Sequence, residues 1–180
     1  NRIVGSLNLV FDNFSTQNIL NGKSWSPLPS GDGQRLSLSA SSNGAYYQNY
    51  NISFTEPWLG GKKPNALTVS FYKSVSSNGQ TGENREAIEI LGLTLGIGKR
   101  LKNPDDYFTI YNGINFQQYK LINSQSFFSF KNGFSNNVNY NIRLGRNSVD
   151  QLIFPRRGSN FSLGLKITPP YSMFDGVDDY

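Results

Sequence analysis

Cysteine and histidine are both missing from the 180 residues. Without Cys there is no disulfide framework, no thiolate nucleophile and no Cys-type zinc site. Without His the chain lacks the commonest metal ligand and the usual general base. Metal-assisted hydrolysis and Ser-His-Asp chemistry have no carrier, and no enzyme activity, metal or cofactor is expected. Charge is also sparse, at 16% of residues against roughly 25% in soluble domains. No apolar run approaches the ~18 residues that a membrane-spanning helix needs, and no credible helix is visible. The chain opens at Asn1 without a signal-peptide pattern and stops just past a strand, so it is expected to be an internal piece of a longer protein.

Ser, Asn and Gly fill the gap left by charge, and aromatics are plentiful, with 13 Phe and 10 Tyr. The net charge is +5. A nucleic-acid binder would concentrate its Lys and Arg on one face or helix. Here they sit mostly in turns, so no nucleic-acid partner is expected.

The clearest pattern runs from Tyr46 to Val75. Tyr50, Ile52 and Phe54 fall on one side of a period-two alternation, with Asn49, Asn51 and Ser53 on the other. Successive strand side chains point to opposite faces, so this is a strand between two different environments. Glu56-Pro57 ends it, because proline offers no N–H to the ladder. Gly60-Gly61 and Pro64-Asn65 reverse the chain, and Leu67, Val69 and Phe71 resume the alternation.

The same rhythm repeats along the chain. Ile3, Leu7, Leu9 and Phe11 mark a first strand; Leu36, Leu38 and Ala40 mark a second, after a long connection over 13–34. Asn43-Gly44 predicts a two-residue hairpin turn. Ile88 and Ile90 are out of phase with Leu91, Leu93, Leu95 and Ile97, and a β-bulge near Ile90-Leu91 would reconcile them. Phe108 to Phe116, Val138 to Leu144 and Phe161 to Ile167 complete the set, with a loop over 121–135. That predicts eight strands in an antiparallel up-and-down meander.

Alternation fits either a soluble β-sandwich binding module or a membrane barrel. A sandwich charges its outer face for solubility. Here the second face is small and uncharged, broken only by groups such as Arg143 and Lys166, which suits the watery interior of a barrel. Closed barrels are the only sheets that span membranes, because open edges in lipid leave N–H and C=O groups unpaired. Their strands need ~9–11 residues, which these stretches supply. Tyr46, Tyr47, Trp58, Tyr107 and Tyr171, near strand ends, suit interfacial girdles. The expected fold is therefore all-β, a partial antiparallel transmembrane β-barrel, with a passive porin or transporter as a further reading of the same pattern.

The run NISFTEPWLGGKKPNALTVSFY, Asn51 to Tyr72, resembles the barrel of BamA-type outer-membrane protein assembly factors, particularly the Bacteroidota form. LVFDNFSTQNI from Leu9, SWSPLPSGDGQRLSLSASSNGAYYQNY from Ser24, RNSVDQLIFPRRGSNFSL from Arg146 and KITPPYS from Lys166 agree in the same order. The resemblance implies a wall segment, the second to ninth strands of a larger barrel that folds and inserts other barrel proteins. It implies that residues 1–180 hold neither the POTRA domains nor the remaining strands. It also implies a location in the cell outer membrane. Its lipids, unfolded outer-membrane protein substrates, and periplasmic or lipoprotein assembly partners would be what the protein meets.

Candidate residues follow from the faces. Arg143, Asn139, Asn141 and Lys166 are expected to face the lumen, with Asp150 the local acidic candidate for Arg143. Leu7, Leu9, Ile52, Phe54, Leu163 and Leu165 are expected to face lipid. Glu56 reads as a turn-stabilising carboxylate. One set of alternate turns carries Lys23, Lys62, Lys63, Lys99, Arg100, Lys102, Arg156 and Arg157; the other carries Arg85 and Lys131 with Glu83, Glu86, Asp175, Asp178 and Asp179. By the resemblance the basic end is periplasmic, with Lys62, Lys63, Arg100, Arg156 and Arg157 as rim candidates toward headgroups or acidic partners. Gly31-Asp32-Gly33 lacks the spacing of a phosphate loop.

Overall fold

The computed structural model describes residues 4–61, 65–124, 132–151 and 153–169. Eight strands form one sheet: β1 (Val4–Phe14), β2 (Gln34–Asn43), β3 (Tyr47–Glu56), β4 (Asn65–Ser77), β5 (Ala87–Arg100), β6 (Phe108–Ile122), β7 (Gly133–Asn147) and β8 (Asn160–Ile167). Each pairs antiparallel with the next in sequence, and β1 and β8 do not pair with each other. The expected open meander is what forms. A sandwich would bury one face against a second sheet. Here all strands share one sheet, and among the described residues only Ala87 and Leu121 are buried hydrophobics.

The register builds two unlike faces. On one, Leu9, Leu38, Ile52, Phe71, Leu93, Phe116 and Val138 are successive partners from β1 to β7. On the other, Ser37, Ser53, Ser70, Thr94, Asn115 and Asn139 line up from β2 to β7. The apolar band runs obliquely. It covers Leu7 to Phe11 on β1, but Leu7's row reaches Gln118 and Asn136 on β6 and β7. On β8 the band has moved to Leu163, Leu165 and Ile167, whose partners are Leu144, Ile142 and Tyr140. Strands tilted against a level band give this drift, as in barrels.

The polar face is the crowded one. Asn139 is 1% exposed there, whereas Leu163 on the apolar face is 68% exposed. A curved sheet crowds its concave side, so the polar face is concave.

The bulge expected at Ile90-Leu91 is absent. Pairing is continuous from Ile88 to Ile97 with both β4 and β6. The faces instead exchange character at this end. Ile88 and Ile90 share the polar face with Tyr119 and buried Leu121, while Glu89 on the other face pairs with Arg85 and Lys120. The one break in register lies in β1 between Phe11 and Phe14. The turn after Asn43 takes Gly44, Ala45 and Tyr46 rather than two residues, with Gly44 at φ 61°. β6 and β7 run further than expected, to Ile122 and from Gly133. Ile3, Lys62, Lys63, the loop aromatics Phe127, Phe128 and Phe130, Lys131, Tyr171, Asp175, Asp178 and Asp179 lie outside the described residues.

Candidate functional site

Four of the chain's turns and loops gather at one end, after β1, β3, β5 and β7. The long connection after β1 is held by polar contacts. Buried Ser15 donates to Asp32 over 2.5 Å, and its backbone N–H donates to Pro29 O over 2.9 Å. Gln34 is the centre of the knot. Its carbonyl oxygen accepts from Thr16 N over 2.8 Å, and its amide donates to Thr16 Oγ1 and, over 2.6 Å, to Glu56 Oε2. The other Glu56 oxygen accepts from Trp58 N over 3.0 Å. Glu56 is therefore a turn carboxylate, as expected, and it ties the GDGQ and EPW stretches together.

At the same end Arg146 donates to Asp105 from Nε and Nη2, over 2.9 and 2.8 Å, and reaches Ser148 and Ser159. Its guanidinium lies 5.7 Å from the ring centres of Tyr107 and Phe108. The Arg146 hydrogen bond holds the Asp105 carboxyl below the usual carboxylate range, against a smaller opposing effect of burial. A depressed carboxylate contributes its stabilisation above its unfolded pKa and loses it as pH falls through the folded value. The pair therefore ties the turn at neutral pH.

Asp150 does not meet Arg143. It accepts backbone N–H bonds from Arg156 and Arg157, over 3.0 and 3.2 Å. The Arg157 bond is the main reason its carboxyl is held low. This corrects the suggested Arg143 partner: the turn folds Asp150 onto its own backbone. Arg156 and Arg157 sit in that turn, and Arg100 ends β5 on the polar face beside Thr109. The basic end is less one-sided than its Lys and Arg suggested, since Asp12, Asp32, Glu56, Asp105, Asp106 and Asp150 lie there too. Asp12 pairs with Arg35 at 2.6 Å.

Across the polar face runs a hydrogen-bonded ladder. Thr94 donates to Asn115 over 2.6 Å, and Asn115 and Asn141 both donate to Asn139 Oδ1, over 3.0 and 2.9 Å. Gln117 donates to the Tyr72 hydroxyl over 2.5 Å and accepts from Asn137 and Tyr119. Ser70 donates to Ser53 over 2.8 Å. No buried side-chain N or O among the described residues lacks a partner. The Tyr72 and Tyr111 rings lie across glycines of this face, Tyr72 over Gly92 and Tyr111 over Gly96 and Gly113.

Asn139, Asn141, Arg143 and Lys166 all lie on this face, as alternation required. Arg143 and Lys166 line a recess of about 520 Å³ with Tyr111, Asn115, Asn141 and Gly164. Neither cation has an ion-pair partner among the described residues. Leu7, Leu9, Ile52, Leu163 and Leu165 are exposed on the opposite face, and Phe54 packs edge-on against Phe14 there. Sequence reasoning missed Ser15 and Gln34, whose partners are distant in the chain. It also missed the tyrosine-covered glycines, signalled only by Gly92, Gly96 and Gly98 at alternate positions.

The sequence profile of the Omp85 superfamily domain matches residues 30–176. A search of curated proteins gives no match. Among solved structures, the crystal structure of BamA from Haemophilus ducreyi lacking POTRA domains 1-3 is similar, with TM-score 0.60 and 18% identity. The match covers 92% of this chain and 31% of that one. At that identity the likeness shows the fold: an eight-stranded part of a larger barrel wall.

Proposed function

The chain belongs to the Omp85 superfamily, and we propose that it is wall from the barrel of a factor that folds and inserts β-barrel proteins into the outer membrane. It is part of an outer-membrane β-barrel. The observation carrying the functional reading is the family match over 30–176, joined to an open meander that overlays a BamA barrel. The remaining strands and the POTRA domains belong, on this reading, to the protein beyond these residues.

The two faces then have separate work. The apolar face meets lipid through Leu7, Leu9, Ile52, Phe54, Leu163 and Leu165. The polar face, with Asn139, Asn141, Arg143 and Lys166, lines the lumen. The exchange of character along β5 places Glu89, Lys120 and Arg85 where the wall has left the hydrocarbon and its outside is wet. There Ile88 and Ile90 turn inward to pack. The end carrying Arg100, Arg156 and Arg157, with Lys62 and Lys63, is the periplasmic rim, facing headgroups and assembly partners. The partners are unfolded outer-membrane proteins, membrane lipids and periplasmic or lipoprotein components. The work is binding and guidance without covalent chemistry, which suits a chain lacking Cys and His.

Reconstitution tests this. The intact protein in liposomes should speed the folding of a urea-unfolded outer-membrane barrel protein, followed by gel-shift, relative to empty liposomes. Ion conductance without any such acceleration would mark a passive porin and overturn the reading.

A further inference from the structure

The recess beside β8 has the chemistry of an anion site. Its depth has two causes. Gly164 carries no side chain, and a Cβ built there meets nothing within 4 Å. Tyr111, which would otherwise fill the space, lies over Gly96 and Gly113 on β5 and β6, away from β8. What remains is about 520 Å³ of polar space. That is more room than one small ion requires.

Its lining is donor-rich and one-sided in charge. Arg143 and Lys166 bring two cations, Asn115 and Asn141 bring amides, Tyr111 brings a phenol, and no carboxylate lines it. The strand carboxylate nearest in kind, Asp12, is held by Arg35. Arg143 is opposite Gly164, and Lys166 is opposite Asn141. The two cations are therefore diagonal neighbours on one face, a spacing of roughly 7–8 Å. Alternate residues of an extended chain lie about 6.8 Å apart, twice the strand rise. Acidic side chains at every second position of a strand-like segment would meet both cations together. Lipid headgroups belong to the other face and to the rims.

We propose that this recess binds an extended acidic polypeptide segment through carboxylates two residues apart, held by Arg143 and Lys166. The site is assigned from the geometry of the polar face and does not depend on the assembly function. The segment may be supplied by another part of the same protein or by a passing substrate; both present the same carboxylates.

The test uses the intact protein in detergent, with any other cysteine removed and Gly164→Cys introduced as a reporter. Modification rates are compared for an anionic and a cationic methanethiosulfonate reagent. An open recess should favour the anionic reagent by about tenfold or more, the range that focusing by one sign of charge produces. Arg143→Gln with Lys166→Gln should abolish the preference, and Arg143→Lys alone should retain most of it. The peptide acetyl-Ser-Glu-Ser-Glu-Ser-amide should protect the thiol, and its Gln counterpart should not. Slow modification by both reagents that is relieved by salt marks a recess already filled by an acidic segment of the protein itself, and supports the proposal. Salt-insensitive protection overturns it, as does a preference unchanged in the double variant. Equal protection by both peptides, or by inorganic phosphate in place of the acidic peptide, also overturns it.

Discussion

Gly96 and Gly113 are direct partners on β5 and β6, and the Tyr111 ring lies across both. Glycine in a strand normally weakens it, and its use here is to let a ring lie flat on the backbone. A Cβ at Gly96 would run into the Tyr111 hydroxyl, whereas one at Gly164 would meet open space. Gly96→Val should therefore cost roughly 1–3 kcal/mol by overpacking, while Gly164→Ala should change little. Urea unfolding of the intact barrel in micelles measures both. In a Tyr111→Ala background most of the Gly96→Val penalty should vanish, as a double-mutant cycle would show. Equal losses at the two glycines, or no relief, would contradict the ring-over-glycine account. Alternation in the sequence was enough to put Arg143 and Lys166 on the polar face, because facing depends only on local period. It could not foresee that Gln34 would bond Glu56, 22 residues away, since that contact depends on how two turns converge. Asp150 failed as Arg143's partner for the same reason: a turn's path decides it.

Strand β5 shows what periodicity leaves out. The change of phase from Ile88 and Ile90 to Leu93 and Leu95 was legible, but its cause was not. A bulge follows only if one environment runs the whole length of the strand. The pairing is regular, and the environment changes instead, with Glu89 beside Arg85 and Lys120 on the face that lower down carries Leu93 and Leu95. The assignment of faces is tested on β8, where Ser162 and Leu163 are neighbours on opposite sides. Leu163→Arg in the complete barrel should cost about 2–4 kcal/mol if the residue sits near the bilayer midplane. Ser162→Arg, facing the polar side, should cost much less. Folding titrations in lipid vesicles give the comparison, and similar losses at both positions would reverse or erase the two-faced wall.

At the scale of the molecule, the sheet has two long edges that no described strand covers, along β1 and β8. An uncovered edge presents a row of backbone donors and acceptors that templates pairing with another chain. The apolar face adds Leu7, Ile52, Phe71, Leu93, Leu163 and Leu165 as exposed surface, well beyond what a soluble monomer tolerates in one patch. Closing the eight strands on themselves would remove the edges, but an eight-stranded barrel has an interior only just wide enough for its side chains. The polar face here instead carries an open recess of about 520 Å³, and the family structure continues the wall over a chain of which this one matches 31%. The 180-residue piece made alone should therefore aggregate without detergent, and should regain order only where something covers both the edges and the apolar face. Sedimentation and thermal melting decide this. A detergent-free monomer with a cooperative melt would mean that these strands can bury their own apolar face, and the wall-segment account would have to give way to a self-contained soluble fold.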